Sequence, residues 1–136
     1  MMGLPPAVMI NGLAEGHAAL APGLPVTLVS APAAAVFAGA AWWLALLAEL
    51  RRAHPAFGFP DVLDCGDAPG LAAQALRLGQ RRIAFSSPVP GLVARIGALG
   101  VECGAEVLPC LPPALDLAQP GAHRRLTAWL GVPPAG

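Results

Sequence analysis

Residues 61–70 read DVLDCGDAPG, and the fold follows from how that stretch is parsed. Val62, Leu63 and Cys65 form a short apolar run with the carboxylate of Asp64 near its end, the pattern of a strand leaving a buried sheet. Gly66 supplies a turn. Asp67 stands where a helix N-cap belongs, Pro69 falls in the first turn, and Gly79 follows the end of a helix over 68–78. Leu71, Ala72, Ala75, Leu76 and Leu78 make its buried face, while Gln74, Arg77 and Gln80 are expected to look outward.

The same strand–turn–helix unit recurs on both sides. Upstream, the apolar run 26–29 ends in Ser30-Ala31-Pro32 and leads into a long helix over 33–53, with Val36, Ala40, Trp43, Leu44, Leu47 and Leu50 on one stripe. Downstream, the strand 82–85 ends in Ser86-Ser87-Pro88 and leads into a helix over 89–103. Its stripe is Leu92, Ile96, Leu99 and Cys103, and Gly97 and Gly100 weaken it. Residues 7–10 and 105–108 complete the strands. Residues 13–20 form a further helix, and 123–130 a last one anchored by Trp129. Pro109, Pro112 and Pro113 make 109–117 an irregular connection, and 1–7 and 131–136 are expected to be loose ends.

Strands and helices alternating every ~20–35 residues suit right-handed crossover units. The strands are apolar without clean alternation, as in a sheet covered on both faces. The expected fold is a single α/β domain: a three-layer sandwich with a mainly parallel sheet of four or five strands and helices on both faces. Its architecture is broadly flavodoxin-like or Rossmann-like, an analogy of fold that carries no function.

Composition narrows the possible functions. The 136 residues are 56% hydrophobic and 12% charged, against a usual charged fraction of about 25%. So few charges cover a small domain's surface poorly, and a homo-oligomer, in the first place a twofold dimer, is expected. The small residues Ala34, Ala38, Ala41, Ala45 and Ala48 would let a partner helix approach. A membrane span is the rival for this helix, since 33–48 is uncharged and Arg51-Arg52 follows. The run is short, rich in alanine and set between strands, which favours a covering helix.

Formal charge is zero and no basic cluster exceeds a pair, which argues against nucleic-acid binding. Every base is arginine; without lysine there is no Schiff-base chemistry, no pyridoxal attachment and no phosphate-loop lysine. No cofactor is implied. Cys65, Cys103 and Cys110 form no close pair, so a reducing cytoplasm is the expected setting, and the start of the chain lacks the basic segment of a signal peptide.

In sheets of this kind ligands bind beyond the carboxyl ends of the strands. The polar residues expected there are Ser30, Asp64, Cys65, Asp67, Ser86 and Ser87, converging on one rim if the strands are parallel. Ser30, Asp67 and Ser87 also fit plain helix capping, and Asp64 could be satisfied by the amides of the next turn. Cys65 could act as a nucleophile with Asp64 as acid or base, or be a small buried side chain; Cys103 and Cys110 read as core residues. His17 reads as a solvated helix residue, with no second ligand at metal spacing. The spacing of Asp64 and Asp67 is that of a magnesium or aspartyl-phosphate site, but the lysine such a receiver needs is missing.

The expected function is therefore binding of a small, anionic molecule at the strand carboxyl ends in a regulatory or sensing role. An enzyme built on Cys65, and an interaction domain using the alanine face of 33–53, are the alternatives.

Overall fold

The computed structural model describes residues 3–131. The elements run β1 (Ala7–Met9), α1 (Leu13–Leu20), β2 (Thr27–Val29), α2 (Ala34–Phe37), α3 (Ala40–Ala53), β3 (Asp61–Asp64), α4 (Pro69–Arg77), β4 (Arg82–Ala84), α5 (Leu92–Glu102), β5 (Glu106–Leu108), β6 (Ala114–Asp116) and α6 (Ala122–Leu130). They form a three-layer α/β sandwich around one sheet of order β5-β4-β3-β2-β1-β6, parallel throughout. The sheet has six strands rather than four or five. The extra one, β6, lies in the proline-rich segment expected to be irregular, and pairs at the sheet edge with β1.

From β1 to β5 the chain steps in one direction across the sheet, so crossovers of one hand bring their helices to the same face. Val8, Ile10, Leu28, Leu63, Cys65, Ile83, Phe85, Leu115 and Leu117 point to that face and join the buried side chains of the helices in one core. Alternate strand residues point the other way: Ala7, Val29, Val62 and Ala84 are buried there with Leu4, Met9, Leu108, Leu111 and Ala114 packed on them. This third layer is thin. Where helices were expected on both faces, the second face carries the N-terminal arm and the β5–β6 connection.

The reach of that connection constrains the sheet. The six steps from Leu108 to Ala114 span at most about 21 Å, while five strand spacings total about 24 Å in a flat sheet. The sheet must therefore coil toward the connection, bringing its edges closer. Small residues at Ala7, Ala84 and Ala114 keep this face low enough for an extended segment to cover it. Pro109, Pro112 and Pro113 lack N–H groups, so they leave fewer donors unpaired in a segment that crosses a sheet face without pairing to it.

Several local expectations change. The long helix is two: Gly39, at φ 85°, separates α2 from α3. The N-terminal arm is tied down, because Thr27 donates from its amide to Pro6 O (2.9 Å) and from its hydroxyl to Pro5 O (2.8 Å). Trp129 anchors α6 as expected, its indole N–H donating to Ala7 O at 2.7 Å. Leu78 and Cys103 are exposed rather than packed. Gly100 is in α5 because the helix presses on β5; a Cβ there would lie 2.8 Å from Val107 Cγ2. Of the loose tail expected at 131–136, residues 132–136 lie outside the described residues.

One polar cluster interrupts the apolar core. Asp61 opens β3 and is only 6% exposed. Its Oδ2 accepts from Trp43 Nε1 and Gln80 Nε2, both at 2.8 Å, and its Oδ1 accepts from Arg51 at 2.8 Å. Gln80, expected outside, is 2% exposed and also donates to Arg82 O at 2.9 Å. Arg51 donates to Phe59 O at 3.1 Å and lies 4.7 Å above the Phe59 ring. One carboxylate thus links α3, β3 and the turn before β4. Removing it leaves the Trp43 indole N–H and one of the two Gln80 amide hydrogens without an acceptor, each worth about 1–3 kcal/mol. We predict that Asp61→Ala lowers stability to urea by about 3 kcal/mol, and that an exposed control, Val101→Ala, changes it by less than about 0.5 kcal/mol.

Candidate functional site

The parallel sheet does bring the ends of β2, β3 and β4 to one rim. Ser30 follows β2, Asp64 ends β3, and Ser86 follows β4. Ser30 is fully buried. Its hydroxyl accepts from the Asp64 amide at 2.9 Å, extending the β2–β3 ladder where the backbone of β2 leaves the sheet, and donates to Ala31 O at 3.0 Å. Asp64 Oδ2 accepts from the Ala33 amide at 2.7 Å and Oδ1 from the Gly66 amide at 3.2 Å.

Both of those amides belong to left-handed residues: Ala33 at φ 57° and Gly66 at φ 58°. For alanine this conformation costs about 1–2 kcal/mol. A carboxylate accepting its N–H is what holds the backbone there. The carboxyl rim therefore uses Ser30 and Asp64 to shape the entries to α2 and α4.

The side chains of the remaining candidates take no part in those bonds, although the Ser86 amide donates to Gly66 O at 3.1 Å. Asp67 is exposed and is not the helix cap; Ala68 holds that position without a side-chain hydrogen bond. Ser87 accepts from the Val89 amide at 3.1 Å, in a turn that precedes α5, and Ser86 is exposed beside it. Cys65 is fully buried in the helix-side core. Burial, reinforced by the charge of Asp64, pushes its thiol from 9.0 up to about 12. A thiol held neutral in this way supplies no thiolate near neutrality. Nothing here pairs it with a base.

At the same rim but over β1 and β2 lies a shallow, mostly apolar hollow of about 240 Å³. Ile10, Asn11, Ala31, Pro32, Phe37 and Trp42 line it. A second hollow of about 420 Å³ lies on the other flank of Trp42, against Leu13, Ala45, Leu46 and Glu49.

The opposite rim of the sheet holds a more polar cleft, about 440 Å³, at the amino ends of β3 and β4. Arg51, Arg81 and Arg82 line it with Gln80, Asp61, Phe59 and Pro60. Arg51 is fixed by Asp61, and Arg82 by Glu106 at 3.3 Å. Arg81 is exposed and makes no salt bridge among the described residues. Sequence reading had missed this grouping. Arg81-Arg82 appears as a lone basic pair, and Arg51 belongs to a helix thirty residues upstream.

Two histidines meet elsewhere. His17 Nδ1 lies 3.0 Å from His54 Nε2, with ring centroids 5.2 Å apart, so His17 is not the isolated side chain its sequence neighbours suggest. The partner comes from the end of α3, 37 residues away.

The cysteine environments predict a sharp division. In the native state Cys103 and Cys110, both exposed, should react with a thiol reagent at pH 8, and Cys65 only after unfolding. The folded thiol of Cys65 titrates above its unfolded value, so its share of stability is complete below about pH 9 and drains away as pH rises toward 12. Cys65→Ala should flatten that alkaline slope in denaturation curves. Equal reaction of all three thiols in the native state would contradict the burial of Cys65. No protein-family model matches this chain, and no curated protein matches its sequence.

Proposed function

We propose that this chain is a binding module for a small anionic molecule, a carboxylate or phosphate compound, held in the arginine cleft at the amino ends of β3 and β4. The observation that carries the reading is the convergence of Arg51, Arg81 and Arg82 on one cleft in a chain of formal charge zero. Guanidinium groups match carboxylate and phosphate oxygens through paired N–H donors. Arg51 and Arg82 are already held by carboxylates, which lowers the entropy lost on binding. Their charges are also largely neutralised. The spare positive charge is about one guanidinium, Arg81, which favours a weakly held ligand suited to sensing over tight capture. Binding rather than catalysis is supported by the neutral, buried thiol of Cys65 and by the backbone bonds that occupy Ser30 and Asp64. The three free cysteines support a reducing, cytoplasmic setting. Among the described residues, no helix is long and apolar enough to cross a membrane.

The test is a titration of 15N-labelled protein with inorganic phosphate and, separately, with succinate. Amide shifts should gather at Phe59, Asp61 and 79–82, and Arg81→Glu should weaken the response by about tenfold, or 1.4 kcal/mol. Shifts gathered at Ser30, Ala31, Ala33, 64–67, Ser86 and Ser87 would move the site to the carboxyl rim, and no saturable shifts would remove the proposal.

A second reading has its own observation. Phe37 of α2 is 85% exposed, Val36 beside it, Leu13 of α1 and Trp42 of α3 are also exposed, and α3 exposes Ala41, Ala45 and Ala48. A projecting ring and the hollows flanking Trp42 occupy one face, a self-complementary arrangement that a second copy related by a twofold axis would fill. Sedimentation equilibrium of the full chain should show a dimer. Phe37→Glu combined with Ala45→Glu should yield a folded monomer, and an unchanged mass would exclude this face.

A further inference from the structure

Outside the arginine cleft, His17 and His54 form a pair of ligating side chains that neither proposed function uses. His17 comes from α1, and His54 is the residue that ends α3, at φ −126° and ψ 60°. Two imidazole nitrogens at 3.0 Å cannot both carry protons pointing at each other, so the pair shares one proton between a donor and an acceptor. A divalent metal ion can take the place of that proton. Metal–nitrogen bonds of about 2.0–2.1 Å set two cis ligands about 2.9–3.4 Å apart, from a right angle to a tetrahedral one. The observed separation of 3.0 Å falls within that range, toward the right-angled end used by Ni(II) and Cu(II).

The surroundings permit a cation. Arg51 and Arg52, the nearest cations along the chain, are tied to Asp61 and Glu49 respectively, and Glu15, two residues from His17, accepts from Asn11. His17 is exposed and His54 half-buried, which leaves room for water to complete the coordination and for each ring to turn toward a shared ion. We infer that His17 and His54 form a two-histidine site for a divalent transition metal, completed by water, which fastens α1 to the end of α3.

The site is separate from the arginine cleft and its test does not depend on that reading. Untagged full-length protein carrying Cys103→Ser and Cys110→Ser, so that exposed thiols do not compete, is titrated with NiCl₂ by calorimetry at pH 7.5. One ion per chain is expected, together with a rise in Tm on adding nickel. His17→Ala and His54→Ala should each weaken binding by at least about tenfold and abolish the Tm rise, while His123→Ala leaves both unchanged. The folding of each variant is checked by circular dichroism; His17→Gln and His54→Gln serve as further variants should an alanine form fail to fold. Binding that survives in either single variant, or that is lost equally in His123→Ala, overturns the inference, as does the absence of binding in the parent protein.

Discussion

The carboxylate of Asp61 is the interaction on which the positions of the other parts depend. Apolar packing holds the helix layer together, but it is non-directional and would tolerate α3 sliding along the sheet by part of a turn. Asp61 removes that freedom. Trp43 and Arg51 both reach it from α3, and Gln80 reaches it from the turn before β4. A carboxylate buried this deeply is costly unless its oxygens are satisfied. Here three donors satisfy them, and among the described residues no buried side-chain nitrogen or oxygen lacks a partner. The same bonds fix the guanidinium of Arg51 at the mouth of the cleft. The polar group that orders the core also furnishes one wall of the proposed site.

That arrangement explains the unequal layers. With α1, α3, α4 and α5 on one face, the polar link between α3 and the sheet is on the helix side, where the mass of the core lies. The other face is left to small side chains and an extended strap. An alanine-rich sheet face needs little cover, and a chain with few charges can bury it with Leu4, Leu108 and Leu111. The strap in turn delivers β6 to the far side of β1, which puts α6 back on the helix face with Trp129 bonded to Ala7.

The parts of this fold written locally were legible in the sequence. The turns Ser30-Ala31-Pro32, Gly66-Asp67 and Ser86-Ser87-Pro88 mark strand ends, so β2, β3 and β4 fall within a residue or so of expectation. Parallel alternation then placed Ser30, Asp64 and Ser86 on one rim. What those groups do was not legible, since it depends on Ala33 taking a left-handed conformation that composition does not announce. Strand β6 escaped because it has three residues just after two prolines, and a sheet-edge position tolerates prolines that a central strand would not. The Asp61 partners and the histidine pair escaped for a shared reason. They are separated by 10 to 37 residues along the chain and brought together only by strand order, which no local pattern encodes.

The two rims of the sheet divide the polar work for electrostatic reasons. Helix amino ends face the carboxyl rim, and their unpaired N–H groups attract carboxylate. Asp64 answers that demand from within the chain, accepting the amides at both sharp turns. Helix carboxyl ends face the amino rim, where the partial charge is negative and cations are favoured, so arginines collect there at little cost. Arg51 and Arg77 sit in such last turns. Acids of the chain neutralise Arg51 and Arg82 but not Arg81. The fold thus satisfies its anion-seeking groups internally at one rim and leaves a cation incompletely paired in a cleft at the other, which is the physical basis of the anion site proposed there.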